Sequence, residues 1–262
     1  MNILLLGDIV GPSGRKAISE KLPKLIEKKN IDFVIANGEN AGDMGVGITK
    51  KIFNEFIEAG ADVVTTGNHV WDEKEAMEFI ISESRLLRPE NLNKGSPGNG
   101  YGIFISKNKK KVAVINLMGN IFMKKSEDVF EEAKKFIKKV QLKKDADFII
   151  VDMHGEITSE KMAMGYLFDG KATMVVGTHT HVPTSDHMIL EKGTAYQTDV
   201  GMCGDYKSVI GMNRDNSLKK FLKDSSAKKH YPALGEATIS GILVSADDNT
   251  GLAKKVEPII LG

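Results

Sequence analysis

Apolar residues along this chain come in short unbroken runs, and most runs end at a glycine beside a polar residue. Residues 2–6 end at Gly7-Asp8, and residues 32–37 end at Gly38-Glu39-Asn40. Residues 61–66 end at Gly67-Asn68-His69, and residues 146–152 end at Met153-His154-Gly155-Glu156. Residues 172–176 lead into Gly177-Thr178-His179-Thr180-His181-Val182-Pro183. Runs of this kind, without alternation, predict strands buried on both faces. Between them the spacing turns helical. Ala17, Ile18, Leu22, Leu25 and Ile26 make an inner face for a helix from Pro12 to about Lys29, with Pro23 as a point of kinking or splitting. Thr49 caps a second helix that Gly60 ends. Asp72 and Glu75 form a capping box for a third, reaching about Ser82. Strand and helix thus alternate three times in the first third, the signature of a parallel α/β sheet.

The middle of the chain changes character. Residues 101–106 and 111–117 predict a hairpin around the basic turn 107–110, which reads as a solvated turn. Ser126 starts a helix whose stripe Val129, Phe130, Ala133, Phe136, Ile137 and Val140 is core. A helix over about 159–168 precedes the histidine-bearing run. After Pro183 come short strands near 188–190, 194–197, 237–245 and 252–260. Residues 201–216 read as one long polar loop, a length that marks functional segments. No repeat, linker or boundary divides the 262 residues, so the expectation is one domain over 1–262 with mixed sheets.

Composition narrows the classes. Hydrophobic content of 41% and charged content of 27% are ordinary for a globular protein. A net charge of +1 gives no footprint for bulk nucleic-acid binding. The lone Cys203 rules out an intrachain disulfide framework. The N-terminal run is too short for a signal-peptide core, and no stretch approaches a membrane span. The expected location is cytoplasmic, with a homo-oligomer left open.

The polar groups at the strand ends carry the chemistry. In parallel α/β sheets, ligands bind beyond the carboxyl ends of the strands. Asp8, Glu39, Asn40, Asn68, His69, His154, His179 and His181 all fall there, and they include four of the six histidines. In extended chain His179 and His181 share a face, roughly 6.5 Å apart. That spacing suits two different ions, or one ion if the backbone bends. Carboxylates, imidazoles and amide oxygens on one rim suit two divalent or mixed-valence ions of intermediate hardness, iron or manganese foremost, with zinc as a third choice. Cations about 3.5–4 Å apart activate water and clamp both oxygens of an in-line displacement at phosphorus.

Gly7-Asp8, Gly38-Glu39-Asn40, Gly67-Asn68-His69, His154 and Gly177-Thr178-His179-Thr180-His181, in this order, resemble the calcineurin-like metallophosphoesterases. The fuller text Gly7-Asp8-Ile9-Val10-Gly11, Asn37-Gly38-Glu39-Asn40-Ala41 and Gly67-Asn68-His69-Val70-Trp71-Asp72 resembles their YmdB-like bacterial branch. The likeness covers nearly the whole chain. It implies a four-layer α/β/β/α sandwich with a dinuclear site. Asp8, Glu39, Asn40 and His181 would hold one metal, and Glu39, Asn68, His154 and His179 the other, with Glu39 bridging. His69 would be the general acid. The implied activity is hydrolysis of small phosphodiesters such as 2′,3′-cyclic AMP, by attack of a hydroxide held between the metals. Two positions depart from the wider superfamily: Val10 stands where a histidine is usual, and Glu39 replaces the usual bridging aspartate. Asn40 is the residue expected to fill that gap.

Rival classes are a P-loop triphosphatase, a metal-holding regulatory or scaffold protein, and a phosphoprotein phosphatase or nuclease. The first fails because Gly14-Arg15-Lys16-Ala17 lacks Gly-Lys-Ser/Thr. The second has no need of an acid such as His69. The third differs only in rim loops.

Overall fold

Each apolar run forms a strand, and the helices between them lie on the outer faces. The computed structural model describes residues 1–262. In order, the elements are β1 (Asn2–Leu6), β2 (Asp8–Ile9), α1 (Gly11–Lys29), β3 (Phe33–Asn37), α2 (Lys50–Glu58), β4 (Val63–Thr65), α3 (Ala76–Phe79), β5 (Leu86–Leu87), β6 (Tyr101–Ile105) and β7 (Lys111–Met118). They continue with α4 (Val129–Lys139), β8 (Phe148–His154), α5 (Thr158–Phe168), β9 (Met174–Thr178), β10 (Met188–Ile189), β11 (Ala195–Gln197), β12 (Met202–Cys203), α6 (Arg214–Phe221), β13 (Ile239–Ala246) and β14 (Ala253–Leu261).

Two six-stranded sheets result, ordered β14-β13-β1-β3-β4-β5 and β10-β11-β9-β8-β7-β6. Strands β1, β3, β4 and β5 run parallel, with β13 and β14 added antiparallel. In the second sheet β7, β8, β9 and β11 are parallel between antiparallel edges β6 and β10. Alternation along each strand sorts residues to opposite faces. Ile3, Leu5, Phe33 and Ile35 pack with Val112, Val114, Phe148 and Ile150 in a core between the sheets. Leu4, Leu6 and Val34 face Ile18 and Leu22 of α1 and Phe53 of α2. Ile115, Ile149 and Val151 face Phe136 of α4 and Phe168 of α5. The layering is α/β/β/α, as the resemblance implied. No helix is long and apolar enough to cross a membrane.

Five local expectations change. Helix α1 runs unbroken through Pro23. Pro23 and Ser19 are both exposed, so water can take the carbonyl that the missing N–H leaves free. The capping box at Asp72 and Glu75 does not form; α3 spans only Ala76–Phe79 and has no side-chain cap. The Asp72 carboxylate accepts instead from His69 Nδ1 at 2.7 Å and Lys124 Nζ at 3.4 Å. Asp128, not Ser126, caps α4, accepting from the N–H groups of Phe130 and Glu131. The Ser126 hydroxyl accepts from Asn91 and Asn120. Residues 201–216 are not one loop: β12 pairs with β2 and α6 begins at Arg214. Finally, the His179 and His181 backbones are not extended, with φ of 102° and 65°. The chain turns past β9, so side-chain alternation does not set the directions of these two rings.

Candidate metal centre

Asp8, Glu39, Asn40, Asn68, His69, His154, His179 and His181 meet at one end of the two sheets, beyond the carboxyl ends of β1, β3, β4, β8 and β9. His154 closes β8 and is fully buried. Its Nδ1 lies 2.9 Å from Thr178 Oγ1, which donates to Asp152 Oδ1 at 2.7 Å. The Thr178 hydroxyl proton is thus spent on Asp152, so the ring donates from Nδ1 and turns Nε2 to the site. Around that nitrogen stand Glu39 Oε1 at 3.0 Å, Asn68 Oδ1 at 3.1 Å and His179 Nδ1 at 3.1 Å. The Glu39, His154 and His179 donor atoms lie within 4.8 Å of one another.

A second set adjoins the first. His181 Nδ1 donates to Ile210 O at 2.8 Å, leaving Nε2 at 3.2 Å from Asn40 Oδ1 and 4.0 Å from Asp8 Oδ1. Asn40 donates its amide to Gly45 O at 2.9 Å, which aims its oxygen at His181. Asp8 Oδ2 accepts from the His179 N–H at 3.0 Å, while Asp8 Oδ1 is buried without a hydrogen-bond partner.

Acceptors crowd this cluster: Glu39 Oε1, Asn68 Oδ1 and His179 Nδ1 all face His154 Nε2, where a proton or a cation relieves them, an arrangement that fits cations. The unpartnered, buried Asp8 oxygen is an acceptor that a cation would satisfy. Gly67 makes the same point sterically: a Cβ there would stand 2.3 Å from both Glu39 Oε2 and His154 Nε2. Any side chain at Gly67 would fill the space between donors.

The electrostatics agree. Burial pushes Glu39 up, but His154 and His69 outweigh it and hold the carboxyl down at about 2. Burial and the neighbouring His154 press His179 down to about 3, so its ring stays neutral with a free lone pair. Burial lowers His154, yet the Glu39, Asp8 and Asp152 carboxylates raise it to about 9. Burial raises Asp8, against the pull of His181 and His154.

His69 stands beside the donors. Its N–H donates to Glu39 Oε2 at 3.0 Å and its Nδ1 bonds Asp72. Glu39, Asn40, His69, His179 and His181 line a cavity of about 330 Å3. Val46, Ile210 and Met212 form its apolar wall, and Glu156 stands at its mouth. Such a volume matches a small ligand.

Several supporting residues escaped the sequence reading. Asp152 orients Thr178 and accepts from Thr65 Oγ1 at 2.5 Å and Asn37 Nδ2 at 3.2 Å. Burial lifts its carboxyl to about 6. Lys161 Nζ donates to Thr178 O and Asp199 Oδ2, both at 2.8 Å, and Asp199 accepts from the Thr180 N–H at 3.0 Å. This pair clamps the turn that carries His179 and His181. Asp152 alone left a signal, a carboxylate inside an apolar run two residues before His154 and so on the same strand face.

Two sheets sandwiched by helices, with acidic, amide and imidazole donors converging from the strand ends of both, define a metallophosphoesterase-type fold. The chain belongs to the YmdB-like protein family, whose model matches residues 4–259. A 2′,3′-cyclic-nucleotide 2′-phosphodiesterase of Bacillus subtilis (strain 168) is 45% identical over 261 residues, 100% of this chain and 97% of that one. A putative phosphatase/phosphodiesterase of Mycoplasma genitalium is 38% identical, covering 99% and 92%. Among solved structures, a novel phosphatase from Mycoplasma pneumoniae superposes with a TM-score of 0.91 at 37% identity, covering 100% and 93%. A hypothetical protein from Thermus thermophilus gives 0.90 at 36%, covering 99% and 98%.

Proposed function

We propose that this chain, acting as one domain over its length, is a metal-dependent phosphodiesterase of small phosphodiesters, with cyclic nucleotides such as 2′,3′-cyclic AMP its foremost substrates. The observation that carries the reading is two adjoining donor sets, Glu39 with His154 and His179 and Asp8 with Asn40 and His181, with His69 lining the same cavity. Asp8, Glu39, Asn40 and His181 would hold one cation, and Glu39, Asn68, His154 and His179 the second. The mixed oxygen and nitrogen donors suit iron or manganese. When bound, the two cations supply Lewis acidity toward the phosphoryl oxygens and activation of water as nucleophile.

The chain's own residues do the rest. Asp72 accepts from His69 Nδ1, which fixes the ring and leaves Nε2 to deliver a proton to the leaving oxygen as its bond to phosphorus breaks. Asp152 and Thr178 keep His154 in the tautomer that presents Nε2. Val46, Ile210 and Met212 offer an apolar face to the organic part of the ester. The B. subtilis relative is named for cleavage of 2′,3′-cyclic nucleotides, and full-length identity supports the same class here. The buried, unpaired Cys203 thiol, raised by burial to about 12, suits a cytoplasmic setting.

Manganese- or iron-loaded protein assayed against 2′,3′- and 3′,5′-cyclic nucleotides, linear dinucleotides and phosphopeptides tests the proposal. Turnover is expected on the cyclic diesters first. Preference for the phosphopeptides would overturn it.

A further inference from the structure

Phosphate sites are commonly lined by arginine or lysine, yet neither lines this cavity. The two lysines near it stay out of its lining. Lys124 Nζ donates to Asn68 O at 2.6 Å and to Asp72 Oδ1. Lys161 is fully buried beneath the site against Asp199. What the mouth does carry is a carboxylate. Glu156 follows β8 by two residues, is half exposed, and places Oε2 at 3.3 Å from His179 Nε2. It faces the same space as the apolar wall of Val46, Ile210 and Met212.

We propose that Glu156 is a charge filter that admits the monoanion of a phosphodiester and disfavours the dianion of a phosphomonoester. The inference rests on the phosphoesterase reading and adds the substrate charge to it. Glu156 faces the donor sets across the His179 ring, so a phosphoryl group held between them lies roughly 8–10 Å from its carboxylate, about one Debye length. A diester turns an ester carbon toward the mouth, where the apolar wall receives it. A monoester turns a second charged oxygen there, where no lysine or arginine lines the cavity. Repulsion between unit charges at that range near a protein surface, reduced by water around a half-exposed carboxylate, is worth roughly threefold to tenfold in affinity.

The test uses metal-loaded wild type, Glu156→Gln and Glu156→Asp. Two substrates share one leaving group, so the His69 step cancels: p-nitrophenyl phosphate, a dianion, and p-nitrophenyl phenylphosphonate, a monoanion. Glu156→Gln should raise the ratio of kcat/KM for monoester over phosphonate by roughly threefold to tenfold, chiefly through KM. It should tighten inorganic phosphate, measured by calorimetry, by a similar factor. Glu156→Asp should keep the wild-type ratio, and added salt should shrink the difference. An equal fall on both substrates, with unchanged ratio and unchanged phosphate affinity, would show Glu156 only steadying His179 and would sink the filter. Wild-type protein inert toward every diester would fail the phosphoesterase reading instead, while the phosphate titration still decides on Glu156.

Discussion

Removing one member of the Lys161–Asp199 pair should cost more than any surface change to this protein. Both side chains are essentially inaccessible, at 0% and 1%. Lys161 has two acceptors, Thr178 O and Asp199 Oδ2. Asp199 has three donors: Lys161, the Thr180 N–H, and the Gly201 N–H at 2.8 Å. Breaking a buried pair costs about 3–5 kcal/mol, because the survivor is an uncompensated charge. The two survivors differ. After Lys161→Met, Asp199 retains two backbone N–H donors, so the cost falls near about 3 kcal/mol. After Asp199→Asn, the ammonium retains only Thr178 O and one neutral amide oxygen, so the cost approaches about 5 kcal/mol. At about 2–4 °C per kcal/mol, an intermediate loss of about 4 kcal/mol lowers Tm by roughly 8–16 °C. The double substitution leaves no buried charge and should cost less than the sum of the singles by about 2 kcal/mol. Urea unfolding of the four proteins measures all three quantities. Because Thr178 orients His154 and Thr180 lies between His179 and His181, Asp199→Asn should also lower bound metal. Additive singles, each below about 1 kcal/mol, would refute the clamp.

Gly67→Ala should expel metal from the His154 side, since its Cβ would stand 2.3 Å from two donors; full metal content by elemental analysis would contradict the cradle. Asp72→Asn should slow cyclic nucleotide cleavage by roughly 100-fold while sparing a nitrophenyl diester, whose leaving group needs little proton help; equal losses on both would remove Asp72 as the support of His69. Metal affinity should climb with pH up to about 9, because the metal-free His154 ring is protonated below that value and a metal must displace the proton. Calorimetry in buffers of different ionisation enthalpy should show that proton leaving, and a pH-independent affinity would refute the His154 ligand.

The layers and the donors were legible in the sequence for one reason. Strands buried on both faces are apolar at every position, so a polar residue where such a run stops stands out. Asp8, Glu39, His154 and the Gly177–Pro183 turn announced themselves this way. What stayed hidden were polar residues whose partners lie far along the chain. Asp152 is satisfied by Thr65 and Asn37, 87 and 115 positions away, and no local pattern records such pairs. Lys161 reads as an ordinary helix lysine until Asp199 is brought beneath it.

The local readings that failed are informative about the site itself. Asp72 with Glu75 is a sound capping signal, and Thr49, read by the same rule, does cap α2 with an Ile52 N–H bond of 3.3 Å. The difference is competition. The Asp72 carboxylate is engaged by His69 and Lys124, and a carboxylate bonded to an imidazole and an ammonium gains more than a cap of about 1 kcal/mol offers. His179 and His181 likewise leave extended geometry for positive φ, a strained region for non-glycine residues. The Asp199 and Asp8 carboxylates bond their turn's backbone at Thr180 and His179 and hold that strain in place. Local rules give way here where side chains are recruited by the cluster at the strand ends, which is where strain and broken rules are expected in a protein that works there. Asp72 and Asp199 therefore belong with the proposed donors, one by holding the His69 ring and the other by holding the turn of His179 and His181.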